Sequence, residues 1–383
     1  MTDLDGLLER GRGAGYLAAL ERGRAATDAV LRCVLEDPRW DRQIESRAHY
    51  YASLLVALGP TPVQPILDLL AQRERDDVWL AQDVLVQLAW RGHLGALAAV
   101  IARLRAGSIG ADDLRSIGGQ ALVERVFSLV GRTAPCEPTP GTPPNMELAP
   151  GLDDDQLIAL LRGPDGLDRV LAARRLGERD HAELLPEAKA FLLSQAALPR
   201  EQARERLREQ RPWMVYIEAL PGHRTLELAR AWFHAEWPLS NAAEDILIGH
   251  AEPEDRAMLE TAGAEALTER RNYRLCSIVD ALGHVADPRS IPLLAAIYRE
   301  TNYSYARDRV CIALLEHRER ADVQALLVES LWDCEQWGRE LACENVDPAL
   351  AAERLGGLEG DAFESDDVRD AARAALEVRD GVS

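Results

Sequence analysis

The chain has little of what large sheets, metal sites and membrane spans are built from. Aromatic residues make up only 5% of its 383 residues, and runs rich in Val, Ile and Thr are nearly absent, which excludes an extensive sheet. Lysine occurs once, at Lys189, so almost all positive charge is arginine. The six cysteines (Cys33, Cys136, Cys276, Cys311, Cys334, Cys343) show no C-x-x-C spacing, which points to reduced thiols rather than a disulfide framework or a zinc site. The scattered histidines form neither an H-E-x-x-H motif nor a pair at i, i+4. No apolar run approaches the roughly 18–20 residues that span a bilayer. The opening MTDLDGLLERGRG lacks the basic and apolar regions of a signal peptide, so a cytoplasmic location is expected.

What is present favours helix. Hydrophobic residues make up 47% and charged residues 28%, and Ala, Leu, Arg and Glu dominate. The organising stretch is Asp287 to Leu315, DPRSIPLLAAIYRETNYSYARDRVCIALL. Asp287 can cap a helix, and Pro288 suits a first helical position. Ile291, Leu293, Leu294, Ile297 and Tyr298 recur at helical spacing, Thr301 to Ser304 break the pattern, and Val310, Ala313 and Leu314 mark the inner face of a second helix. Neither helix is long enough to be stable alone, so each must bury its stripe against a neighbour.

Arg307 precedes Ala313 and Leu314 by six and seven residues, and the same offsets recur. They link Arg369 to Ala375-Leu376 and Arg169 to Arg175-Leu176. Weaker copies start at Arg339, Leu275 and Trp213. The anchors 275, 307, 339 and 369 are 32, 32 and 30 residues apart, and Tyr51, Ala81 and Arg115 continue the series at spacings of 30 and 34. A period near thirty is the mark of a helical repeat. The hairpin, with its D-P-R, its P-L-L (Pro292, Leu293, Leu294) and its R and A-L (Arg307, Ala313, Leu314), resembles the short bacterial HEAT repeats also seen in bilin-lyase-like proteins. The resemblance implies an all-α, right-handed α-solenoid of about nine or ten hairpins, with the first thirty-five residues as a capping hairpin.

Two stretches interrupt the period. Residues 132–151, RTAPCEPTPGTPPNMELAPG, carry six prolines and cannot be helical. They are expected to be either a linker between an N-terminal block (1–131) and a C-terminal block (152–383) or a long loop within one solenoid. Residues 197–212 are expected to form a charged helix bounded by Pro199 and Pro212. The acidic trio Asp153, Asp154 and Asp155 reads as a helix start rather than a metal site.

No catalytic residue, metal or cofactor is predicted. GRGAG at Gly11 to Gly15 matches neither nucleotide-binding spacing and reads as a helix-capping loop. Deoxyhypusine hydroxylases, which are HEAT-repeat enzymes, bind iron through His-Glu dipeptides, and this chain has none. Helical-repeat alkylpurine glycosylases hold DNA in a basic groove; a net charge of −20 and the lack of a basic run argue against nucleic acid as a partner. The bilin-lyase resemblance extends to fold alone.

The expected function is therefore a non-catalytic protein-binding scaffold, adaptor or regulatory subunit. The alternative is an enzyme or enzyme subunit, bilin-lyase-like or acting on a bound peptide or cofactor, with a pocket on the concave face. Aromatics with arginine anchor protein interfaces, which makes Trp213, Trp232, Trp237, Tyr303, Tyr305, Arg307 and Trp337 the candidate binding residues. Tyr303 and Tyr305 begin a helix and are expected to be exposed. Between Ala321 and Ser383 sixteen acidic residues face five basic ones, a net of −11, which suits a basic protein partner.

Overall fold

A computed structural model describes residues 3–72, 78–136, 148, 151–164 and 166–381. The described residues are helical, with short 3-10 turns and no strand among them. Most of the proline-rich stretch at 132–151 lies outside the described residues. No single described helix is long and apolar enough to cross a membrane.

The chain divides into two compact units, Met1–Pro138 with Leu294–Ser383, and Thr139–Leu293. The first boundary falls in the proline-rich stretch. The second falls inside residues 152–383, which the sequence suggests is one block, because residues 294–383 share their core with the start of the chain.

The first unit begins with α1 (Leu4–Glu9), α2 (Gly13–Arg22), α3 (Thr27–Glu36), α4 (Ala48–Ala57), α5 (Gln64–Gln72), α6 (Trp79–Trp90), α7 (Leu94–Arg105) and α8 (Ala111–Leu129). Here α4 packs on α6 and α6 on α8, while α3, α5 and α7 lie against these as partners. Leu54, Leu55, Val84, Leu85, Leu88 and Val126 are buried in the resulting seam. Helix α8 is broken at Gly118 and Gly119, the latter at φ +62°, a left-handed conformation that only glycine adopts without strain.

The second unit holds α9 (Asp154–Leu161), α10 (Leu167–Glu178), α11 (Leu185–Ala196), α12 (Arg200–Glu205), α13 (Leu207–Ala219), α14 (Gly222–Trp232), α15 (Leu239–His250), α16 (Arg256–Thr268) and α17 (Asn272–Val285). A row runs α10, α13, α15, α17; α9 backs α10, α14 backs α15, α16 backs α17, and α11 backs α13 and also reaches α15. Asp153 caps α9 by accepting from the Gln156 N–H at 2.8 Å, which fits the sequence reading of the acidic trio. Pro212 does not end a helix as expected. It lies inside α13, where Gln210, Pro212 and Trp213 are all buried, so packing outweighs the missing N–H.

Helix α18 (Ile291–Glu300) spans the second boundary, and the first unit resumes with α19 (Ser304–Leu314), α20 (Ala321–Ser330), α21 (Gln336–Asn345), α22 (Pro348–Gly360) and α23 (Asp366–Gly381). The organising hairpin forms where its pattern places it: Asp287 accepts from the Arg289 N–H at 2.9 Å, and Ile291, Leu294, Ile297, Tyr298, Val310, Ala313 and Leu314 are buried. Again the second helices form a row, α19 on α21 and α21 on α23.

Both ends of the chain meet in this unit. The Arg12 guanidinium donates to both Glu329 carboxylate oxygens at 2.9 Å and to the Arg299 carbonyl at 2.9 Å. The Cys334 N–H donates to the Gly11 carbonyl at 2.9 Å. Gly11 adopts φ +67°, and a Cβ there would lie 2.5 Å from Cys334 Sγ, so glycine just before α2 permits the close approach, while Gly13 and Gly15 belong to the helix itself.

Candidate interaction face and the charge network beneath it

Two of the recurring anchor arginines, Arg307 and Arg339, form a ladder of buried ion pairs, whereas Arg369 pairs with Asp366 and Arg169 donates to the Leu161 carbonyl. Arg307 is buried and donates to Asp333 through Nε at 2.7 Å and Nη2 at 3.0 Å. One repeat later, buried Arg339 donates to Glu364 at 2.8 and 2.7 Å and to the Asp333 and Cys334 carbonyls at 2.9 and 3.0 Å. The partners lie 26 and 25 residues downstream, so each arginine ties one hairpin to the loop of the next. In the second unit Arg230 reaches Asp255 at the same separation of 25 residues. Forked guanidinium–carboxylate pairs of this kind fix register as well as contributing energy.

A second set of charges joins the chain ends. Glu45 accepts from Arg47 Nη2 at 2.7 Å, from the Ser304 N–H at 3.1 Å and from the Trp40 and Asp41 N–H groups at 2.7 and 2.9 Å. Arg47 also donates to the carbonyls of Glu9 and Asn302. Ser304 Oγ lies 3.0 Å from Glu45 and 2.8 Å from Glu335, and the Ser46 N–H donates to Glu335 at 3.1 Å. One hydroxyl proton cannot serve two carboxylates, so the set is complete when Glu335 carries a proton.

The electrostatics agree. Burial pushes the Glu335 carboxyl up to about 7, with Asp333 and Glu45 adding to the rise. Burial acts the same way on Glu45, but Arg47 and the backbone donors outweigh it and hold Glu45 below the usual range. Asp308, fully buried with its Oδ2 unpartnered, is raised well above the ordinary value by burial, then by Asp333 and Glu335. Glu364 opposes burial through Arg339 and His49 and drops to about 2. His49 is lowered to about 3 by burial and Arg339, so its 3.5 Å contact with Glu364 is one of a neutral ring, not an ion pair.

This network leaves one side of the α19, α21 and α23 row facing solvent. The residues of α19 that are not buried are Tyr305, Arg309 and Ile312, at spacings of four and three; those of α21 include Trp337, Glu340 and Glu344, also one helical turn apart. Trp337 is 47% exposed and Ile312 39%. From α23, Asp367 approaches α21, accepting from Gln336 Nε2 at 3.4 Å. Glu340 is raised by desolvation and by the neighbouring charges of Asp367 and Glu344.

The seven candidate residues divide between the units. Trp213 and Trp232 are buried in the second unit, Trp213 among Phe191 and Tyr216, and Trp237 is half-buried. Tyr303 is buried rather than exposed, because its ring lies between Trp40 at 4.9 Å and Tyr305 at 5.8 Å. Arg307 is wholly buried in the ladder. Only Tyr305 and Trp337 reach the α19–α21–α23 face. Sequence reasoning did not single out Asp333, Glu335, Glu45 or Glu364. For Asp333 and Glu364 a signal existed, an acid 26 residues after Arg307 and 25 after Arg339.

Among the described residues no group of three His, Cys, Asp or Glu side chains could hold a metal ion. All six cysteines are free, and only Cys136 is exposed. A surface depression of 540 Å³ at Leu152, Gln156, Leu160 and Asp168, and another of 420 Å³ at Arg318, Gln324 and Asp347, are lined by none of the candidate aromatics. No family model, no curated protein and no solved structure matches the chain.

Proposed function

We propose that the chain is a HEAT-like α-solenoid that works as a non-catalytic scaffold or regulatory subunit and binds a partner protein on the solvent face of α19, α21 and α23. The observation that carries this reading is the open Trp337 ring, which shares its helix face with Glu340 and Glu344 while buried pairs hold the helices beneath it. Rows of second helices backed by first helices are what a solenoid requires, and such rows offer a broad surface to macromolecules. Exposed aromatics over a rigid base are the usual anchors of protein interfaces. The acidic surroundings favour a basic partner.

Affinity capture from the source cell, at low and at high salt, tests the proposal. A protein should be retained in near-stoichiometric amount at low salt, be released as salt screens the carboxylates, and be lost from a Trp337→Ala variant. Absence of any retained protein at low salt would count against the scaffold reading.

A further inference from the structure

Aromatic rings in the first unit are mostly covered by the chain's own cations or by other rings. The Arg354 guanidinium stands 3.7 Å from the Trp332 ring centre, Arg91 lies 4.7 Å from that of Phe363, and Arg12 5.7 Å from that of Tyr298. Tyr303 stacks on Tyr305 and meets the tilted ring of Trp40. Among the described residues Trp337 has no such cover, and one turn further along its helix begins a set of carboxylates, Glu340, Glu344 and Asp367, with which no described arginine forms an ion pair. Arg339 pairs with Glu364, Arg369 with Asp366, and Arg373 with Asp370 and Glu359, while Arg309 stands beside Tyr305 and Ile312 on the α19 side of the face.

An open π face attracts a cation, and three crowded carboxylates gain when one arrives. We infer that the occupant of this face is a cationic segment of a partner protein, an arginine- or lysine-bearing stretch that lays one cation on Trp337 and a second among Glu340, Glu344 and Asp367. The inference rests on the scaffold reading and adds the chemistry of the partner. Ile312 and Tyr305 on the neighbouring helix supply apolar surface for the side-chain stems of the same segment.

The test uses the full chain and a short labelled peptide of repeated Arg-Ala-Ala-Arg units, with a glutamine-for-arginine counterpart, read by fluorescence anisotropy at low salt. The arginine peptide should bind and the glutamine peptide should not. Trp337→Ala should weaken binding about fivefold. Glu340→Gln with Glu344→Gln should weaken it about tenfold and flatten its salt dependence. Glu201→Gln with Glu205→Gln, an equal change of net charge on exposed residues of the other unit, should leave it within about twofold. Equal losses for the two glutamate pairs would reduce the effect to the net charge of the chain and overturn the inference, as would unchanged binding by Trp337→Ala. A partner captured from the cell that is lost with Trp337→Ala but is retained unchanged, with the same salt dependence, by the Glu340/Glu344 variant would also overturn it while leaving the scaffold reading in place.

Discussion

At the scale of single residues, Ser304 Oγ sits between the carboxylates of Glu45 and Glu335, and a proton on Glu335 completes the set. The Glu335 carboxyl is raised from its ordinary 4.5 to about 7 by burial, Asp333 and Glu45, against Arg47 and Ser304. Its contribution to stability is therefore present below the unfolded value and is lost as pH rises through about 7. Glu335→Gln removes this loss. Its stability relative to wild type should rise by about 2–3 kcal/mol between pH 5 and pH 8 in paired urea titrations, and a difference that stays flat with pH would refute the proton on Glu335. His49 and Glu364 act in the opposite sense, since their lowered values cost stability as pH falls, but they cancel in the comparison.

The ladder makes a second prediction at this scale. Asp333→Asn leaves the Arg307 guanidinium buried without its counter-charge, and the fold should lose about 3–5 kcal/mol in urea unfolding. Neutralising Asp322, whose contact with Arg320 is half-exposed, should cost at most about 1 kcal/mol. The recurrence of Arg307, Arg339 and Arg369 was legible in the sequence, but the role of Arg307 was not. An arginine among aromatics suggests a binding surface, and only its distance in sequence to an acid, 26 residues, hints at a buried pair.

At the scale of elements, the apolar pattern placed α18 and α19 well because each has a long, regular stripe. It failed at Pro212, where burial of α13 overrides a local breaker, and at Tyr303, where the partner ring of Trp40 comes from more than 260 positions away. Contacts of that range leave no periodic trace. They also set the tolerance of α2. Replacing a glycine inside a helix by alanine normally stabilises it by about 0.5–1 kcal/mol, and at Gly13, the first residue of α2, space rather than propensity decides. A Cβ there would stand 2.0 Å from the Glu329 carbonyl oxygen, which belongs to α20 and cannot rotate away. Gly13→Ala should therefore destabilise by about 1–3 kcal/mol, read by thermal unfolding, and a stabilised variant would show that α2 does not approach α20.

At the scale of the whole molecule, a thirty-residue period suggests neighbours that touch only neighbours. The first unit departs from that rule, because Arg12, Glu45, Arg47 and Gly11 bind residues near 300 and 334. A repeat pattern cannot reveal this, as the joining residues lie in the loops and caps where the pattern lapses. The central claim is that residues 1–138 and 294–383 fold as one cooperative unit around the buried charges. Hydrogen exchange of Asp333→Asn measured by mass spectrometry tests it most directly. Protection should fall together in Ala48–Ala57 and Gln336–Asn345, while Asn272–Val285 exchanges as in wild type. Loss confined to residues 304–345, with Ala48–Ala57 still fully protected, would contradict it.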